Sequence, residues 1–297
     1  MELTKLNGST YYIQSPTNIG IYTFKNKECL IIDTGIGSSH AKKIDKVLEE
    51  KGLRPKYIIN THAHTDHCGG NSYFKEAYPG VQIYSGEDSK FFIENNEFGA
   101  AILGGGKPLK KLMDKKKKCP VDFILDIGMN KIGDTKVEII PLEGHTVGHL
   151  AILTSDKICF LGDSIFSKAI LEKYSFPYLY DIGESIASLN KIKEIDGEIF
   201  VLSHSTRVYS KEEILDLVDF NLENLNMYLD QFREILSQPM TIEDLVENIS
   251  VLNDLELNFK QYHLNKSTTA GFIAYLYDNG ELAHTIDNGK LYYYIEK

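Results

Sequence analysis

No stretch of this sequence is apolar for long enough to span a bilayer, which takes about 20 consecutive residues. Nor does it open with a charged segment, an apolar segment and a small-residue cleavage site, the pattern of a secretion signal. A cytoplasmic protein is therefore the expectation. Cysteine is scarce: Cys29, Cys68, Cys119 and Cys159 form no C-x-x-C pair and no closely spaced framework. That points to reduced thiols in a reducing compartment, not to a disulfide scaffold. Cys68 directly follows His67, yet a small side chain at a crowded turn is a simpler role for it than a thiolate ligand. Basic charge is also in deficit, with 32 Lys and Arg against 42 Asp and Glu. Residues 1–206 hold 26 acidic and 25 basic side chains, whereas residues 207–297 hold 16 and 7. A near-neutral body is thus followed by an acidic part, which suggests two units. At 297 residues the chain can bury a sizeable core.

What is there reads as alternating strands and helices. "TYYIQ", "NIGIYTF" and "CLIIDTG" are strands, the last an apolar run expected to be buried on both faces. "SSHAKKIDKVLEEKG" has helical periodicity, with serine at its start and glycine at its end. "KYIINTH" and "VQIYSG" are further strands, and Gly69 and Gly70 let the backbone turn into another helix. Residues 87–120 break the pattern with three consecutive glycines and seven lysines between 107 and 118. We read them as a lid-like insertion. Strands return in "KVEIIPLEGHT", "LAILTSD", "KICFLGDSIF" and "EIFVLSHS", with the helix "DIGESIASLNKIKEI" between the last two. Beyond residue 206, Ser210 and Glu213 form a capping box. It opens a long helix with an apolar stripe of Leu215, Val218, Leu222, Leu225, Leu229, Phe232 and Leu236. The stripe is expected to pack on its own chain, with a homodimer seam as the alternative. Two more helices and a hairpin turning at Asn288 and Gly289 complete a winged-helix-like pattern.

Three of the nine histidines fall in "THAHTDH". Divalent ions such as zinc take neutral imidazoles and carboxylates. His62 and His64, two apart in a loop after a strand, can face one point, and Asp66 and His67 a neighbouring one. Four ligands in so short a span exceed what one ion with an open position takes, so two adjacent ions are expected. Further donors follow, each after a strand: His145 in "EGHTVGH", Asp163 in "CFLGDSIF" and His204 in "FVLSHS". His40, His263 and His284 lack such a setting and are read as surface or packing residues.

The motifs H-x-H-x-D-H at 62–67, G-H-T-x-G-H at 144–149, Gly162-Asp163 and the late His204 occur in one order. In this the sequence resembles the metallo-β-lactamase superfamily over residues 1 to about 206. The resemblance implies an α/β fold, an αββα sandwich of two sheets between helices. Residues 1–206 would be the catalytic domain and residues 207–297 a helical, winged-helix-like C-terminal domain. It further implies that His62, His64 and His145 bind one metal, that Asp66, His67 and His204 bind a second, and that Asp163 bridges them. Asp33 of "IIDTG" would orient a ligand, and His149 would be structural. The last histidine lies between Ser203 and Ser205, where the family often has glycines.

Two cations sharing one water lower its pKa towards neutrality, so a bridging hydroxide is the expected nucleophile. Asp66 can take a proton from that water. The motifs look more like the glyoxalase II and general hydrolase branch than the secreted antibiotic-degrading enzymes. This implies hydrolysis of a carboxylic ester, thioester or lactone. A metal-dependent ribonuclease or phosphodiesterase and a mononuclear-iron sulfur dioxygenase are the alternatives. Flavodiiron proteins are excluded, because they place glutamate where this chain has His64. A tail that grips nucleic acid should be basic, and this one is acidic, so it is read as a pocket wall or oligomer contact. The expected substrate is a small molecule. Lys110 and Lys111 of the lysine-rich stretch would steer an anionic one, with Tyr178 and Tyr180 of "FPYLYD" as further candidates. Zinc is the first expectation for the metals, with iron and manganese as alternatives.

Overall fold

A computed structural model describes residues 1–113 and 117–296; Lys115 and Lys116 of the lysine-rich stretch lie outside them. The first sheet has seven strands in chain order. They are β1 (Leu3–Asn7), β2 (Thr10–Ile13), β3 (Ile19–Thr23), β4 (Glu28–Ile32), β5 (Arg54–Ile59), β6 (Gln82–Ser85) and β7 (Phe123–Ile124). Strands β1 to β4 pair antiparallel, and β4 to β7 parallel. Parallel neighbours need crossovers. These contain α1 (Ser38–Glu50), α2 (Thr65–Cys68), α3 (Asn71–Ala77), α4 (Glu87–Glu94) and α5 (Glu97–Gly104).

The second sheet has β8 (Gly128–Ile132), β9 (Thr135–Pro141), β10 (Leu150–Thr154), β11 (Ile158–Phe160), β12 (Ile199–Val201) and β13 (Tyr209–Ser210). Its spatial order is β13-β12-β11-β10-β9-β8. Strands β11 and β12 are parallel and are bridged by α6 (Lys168–Lys173) and α7 (Ile182–Glu194). There follow α8 (Lys211–Ile235), α9 (Ile242–Leu252), α10 (Phe259–Asp278) and a hairpin of β14 (Leu282–Asp287) and β15 (Lys290–Ile295).

Side chains alternate across a strand, and here that alternation sorts the apolar residues into layers. On β4, Leu30 and Ile32 join a core with Ile152, Ile158 and Phe160 of the other sheet. Their neighbours Cys29 and Ile31 join Ala41, Ile44 and Leu48 of α1. On β10, Ala151 and Leu153 face outward onto Leu189 of α7, Val218 of α8 and Phe272 of α10. The layers are therefore helix, sheet, sheet, helix: the αββα sandwich. The two sheets close on each other at Gly20, where an added Cβ would lie 2.6 Å from the Phe160 ring.

Helix α8 starts with both hydrogen bonds of the Ser210–Glu213 capping box. Its Val218, Leu225, Leu229 and Phe232 are buried in this chain's own outer core, with Leu222 packed beside them. The C-terminal hairpin turns at Asn288 and Gly289, both with positive φ (50° and 78°), as a two-residue hairpin turn demands. No helix among the described residues is long and apolar enough to cross a membrane.

Two expectations change. Gly69 and Gly70 both have ordinary right-handed backbone, so conformational freedom is not what they supply. An added Cβ would lie 2.4 Å from the Thr65 carbonyl oxygen at Gly69, and 2.3 Å from that of Thr34 at Gly70. Close backbone approach is the reason for glycine there. Second, the structure adds β1, β7, β8 and β13 to the strands expected from the sequence. They are the edges of the two sheets, half in water and without the apolar run that marks a central strand.

Candidate metal centre

The donors converge at the ends of strands. His62, His64, Asp66 and His67 follow β5. His145 follows β9, Asp163 follows β11 and His204 follows β12. They form two groups that could each hold an ion: His62, His64, His145 and Asp163, and Asp66, His67, Asp163 and His204. Within each group the ligand atoms lie within 4.8 Å of one another. Asp163 belongs to both. Its Oδ2 lies 3.4 Å from His67 Nε2, 3.3 Å from His204 Nε2 and 3.6 Å from His145 Nε2. Asp66 Oδ2 lies 3.4 Å from His67 Nε2 and 3.2 Å from His204 Nε2.

The imidazoles are held from behind. His67 Nδ1 pairs with Asp33 Oδ2 at 2.7 Å, His145 Nδ1 with the Tyr178 carbonyl oxygen at 3.0 Å, and His204 Nδ1 with that of Pro16 at 2.7 Å. His62 Nδ1 lies 3.1 Å from Thr61 Oγ1. A hydrogen bond on one ring nitrogen fixes the ring and leaves the other as a lone-pair donor. His64 is turned the other way, with its Nδ1 3.0 Å from His145 Nε2.

Asp33 directly follows β4 with φ of 62°, a left-handed conformation that Asp tolerates better than most residues. There its carboxylate accepts from the Thr61 N–H (2.9 Å) and Thr61 Oγ1 (2.8 Å) as well as meeting His67. His149 Nε2 accepts from the Asp163 backbone N–H at 3.0 Å, so this histidine supports the loop that carries Asp163. Gly162 makes room for it. Its φ is 57°, and an added Cβ would lie 2.5 Å from His149 Nε2.

The electrostatics differ between the two groups of donors. Burial pushes the pKa values of His62 and His145 down, and burial with His145 nearby takes His64 to about 3. These rings are neutral at neutral pH, the state that binds metal. Burial opposes charge on His204, but Asp163 beside it prevails and lifts its pKa to about 10. Burial likewise opposes charge on Asp163, yet His67 and His204 hold its carboxyl well below the usual range. Among the described residues, His62 Nε2 and Asp163 Oδ1 are buried without a hydrogen-bond partner. Buried polar atoms are rarely left so. Imidazoles and carboxylates converge on two points: the rings at the first are neutral, while His67 and His204 at the second hold protons against Asp66 and Asp163 that a bound cation would displace. This donor set fits divalent cations of the zinc, iron and manganese type.

A cleft opens beside this cluster. Tyr178 and Tyr180 line it together with His64, Phe92 of α4, Ala100 of α5, and Lys260 and Leu264 of α10. The Tyr178 ring centroid lies 5.8 Å from that of His64 and 5.7 Å from that of His145. Lys110 and Lys111 are exposed and are not among the residues lining this cleft. Lys111 Nζ sits 4.6 Å from the centroid of the Phe259 ring. Lys117 and Lys118 pair with Glu76 and Glu97. Cys68 Sγ donates to the carbonyl oxygens of Ala63 and His64, the packing role expected of it. His40 is buried and His284 exposed, both outside the cluster.

Sequence reasoning missed Thr17, whose hydroxyl donates to Asp66 Oδ2 at 3.1 Å. It also missed Lys260 and the carbonyl supports from Pro16 and Tyr178. Backbone atoms carry no residue signature, and neither "SPTN" nor "NFKQ" marks a site.

Sheets, strand-end donors and a doubly shared aspartate define a metal-site protein of the αββα class. Comparison with known families agrees: the profile described as "Metallo-beta-lactamase superfamily" matches residues 12–204. The chain belongs to that superfamily. Among curated relatives, a hydroxyacylglutathione hydrolase of Pelagibacter ubique is 28% identical over 247 residues, covering 80% of this chain and 88% of the relative. One from Buchnera aphidicola is 27% identical, covering 84% and 89%. A probable metallo-hydrolase of Bacillus subtilis is 30% identical over half of this chain, 66% of its own. Among solved structures, a beta-lactamase domain protein from Burkholderia ambifaria superposes with a TM-score of 0.79 at 17% identity, covering 99% of this chain and 93% of its own. A metallo-beta-lactamase family protein from Thermus thermophilus gives 0.74 at 17% identity, covering 97% and 99%. At that identity the structural likeness speaks for the fold alone.

Proposed function

We propose that this protein is a metal-dependent hydrolase of small carboxylic thioesters, with esters and lactones within the same chemistry. The observation that carries the reading is the position of Asp163 in both donor groups, which suits two adjacent ions better than one. The curated relatives at near full length are named hydroxyacylglutathione hydrolases, which favours the thioester.

In this reading His62, His64 and His145 would hold one cation and Asp66, His67 and His204 the other, with Asp163 available to both. Bound there, such cations would acidify a water for attack and polarise the carbonyl under attack. Zinc is the first candidate. The chain's own residues set the rest. Asp66, with 31% of its side chain exposed and steadied by Thr17, accepts a hydrogen bond from the attacking water and orients it. Asp33 and the carbonyls of Tyr178 and Pro16 keep the imidazoles aimed. The Tyr178 ring and α10 wall the cleft in which the substrate lies. Residues 207–297 thus act as a C-terminal unit that completes the pocket of the 1–206 catalytic domain.

The test is turnover of a thioester panel by the purified protein, with Asp163→Ala alongside. Thioester hydrolysis that falls at least about 1,000-fold in the variant, from loss of the metal's share of charge stabilisation, supports the reading. Turnover that survives the substitution contradicts it.

A further inference from the structure

We infer that the cleft beside His64 seats a compact apolar acyl group, about the size of a benzene ring or a six-carbon chain, and selects substrates by it. This rests on the hydrolase reading above. The cleft opens off the metal centre, with Ala63 and His64 among its walls, so a group bound there is continuous with the bond under attack. Phe92, Leu103, Leu112 and Val147 give its walls a larger apolar share, Asn96, Thr146 and Lys260 are among its polar residues, and no carboxylate lines it among the described residues. Apolar walls beside a polar reaction centre favour an acyl chain, since each methylene removed from water contributes about fourfold in binding.

Size decides which part of a thioester enters. The space is about 120 Å³, close to the roughly 150 Å³ of a cavity that takes one benzene. A compact acyl group fills that space, whereas a tripeptide-sized thiol would extend out through the cleft's open side. The thiol half must then lie outside it.

The test uses the metal-loaded full chain and N-acetylcysteamine thioesters with acetyl, butanoyl, hexanoyl, benzoyl and decanoyl groups. The expected kcat/KM climbs about fourfold per methylene, peaks at hexanoyl or benzoyl and falls at decanoyl. A flat profile, or a rise that continues to decanoyl, overturns the inference while leaving the hydrolase reading intact. Binding is read separately by calorimetry with the non-hydrolysable S-hexyl and S-ethyl thioethers of N-acetylcysteamine. Tighter binding of the hexyl compound by about tenfold or more, with no turnover of any thioester, keeps the cleft assignment and sinks the hydrolase reading. Equal binding of the two sinks the inference. Ala100→Phe, which fills the cleft, should erase the preference for hexanoyl over acetyl, and Leu112→Ala should move the optimum to longer chains. Unchanged selectivity in both variants would also overturn it.

Discussion

His145 Nδ1 lies 3.0 Å from the carbonyl oxygen of Tyr178, and that contact ties the metal centre to the C-terminal helices. The next residue, Leu179, donates its backbone N–H to Thr268 Oγ1 of α10 at 3.1 Å. Gly271 of α10 lies against the same segment, where an added Cβ would be 3.0 Å from the Tyr180 carbonyl oxygen. Thr268→Val keeps the shape and removes the acceptor. An orphaned buried N–H costs about 1–3 kcal/mol, so Tm should fall by about 3–8 °C. A chelator should also strip metal from the variant more readily than from the parent. A melting curve and a chelator titration check both.

Asp33→Asn isolates the support behind His67. Asparagine also tolerates the left-handed backbone at this position, so the fold should survive. What changes is the charged acceptor at 2.7 Å from His67 Nδ1. Metal affinity should drop about 10- to 100-fold, measured by competition with a chromogenic chelator, while far-UV circular dichroism stays the same.

Most of the candidate centre is legible in the sequence, because the side chains that could hold metal cluster in short motifs at the ends of apolar strands. His62, His64 and His67 announce themselves by density, and Asp163 by following a buried run. The supports are not legible. Pro16, Tyr178 and Thr17 act through atoms or distances with no local pattern, and Lys260 lies about 200 residues from the histidine motif it approaches. The lysine-rich stretch draws attention to Lys110 and Lys111 by composition, while the cleft takes its lysine from α10. The central strands are readable from apolar runs. The edge strands β1, β7, β8 and β13 are not, since pairing on one side only leaves their sequences mixed.

Gly162→Ala should be costly for a defined reason. The new methyl would meet His149 Nε2 at 2.5 Å on a backbone with φ of 57°, and would disturb the ring that receives the Asp163 N–H. A loss of about 2 kcal/mol or more in urea denaturation is expected. Gly99→Ala is the contrast. It lies within α5 with open space at its Cβ and should be neutral or stabilise by up to about 1 kcal/mol.

Acid sensitivity should come in part from the link between α8 and the hairpin. Arg233 Nε and Nη2 donate to the two carboxylate oxygens of Glu281, at 2.7 and 3.1 Å. That pairing holds the Glu281 carboxyl below its usual value. A depressed folded-state pKa gives stability that is present above the unfolded value, about 4.3, and lost as pH falls through the folded value. Both side chains are about a third exposed (38% and 34%), so screening limits the effect to about 1 kcal/mol or less. Glu281→Gln should lower Tm by a few degrees at pH 7, with the gap to the parent closing below about pH 4. A pH series of melting curves measures it.

The central claim is a paired metal site bridged by Asp163, and elemental analysis of protein purified without added metal or chelator tests it most directly. The account predicts two divalent ions per chain, with both sites depleted in Asp163→Ala and the His204 side depleted in His204→Ala. A single iron per chain, or full metal content in the Asp163 variant, would contradict it.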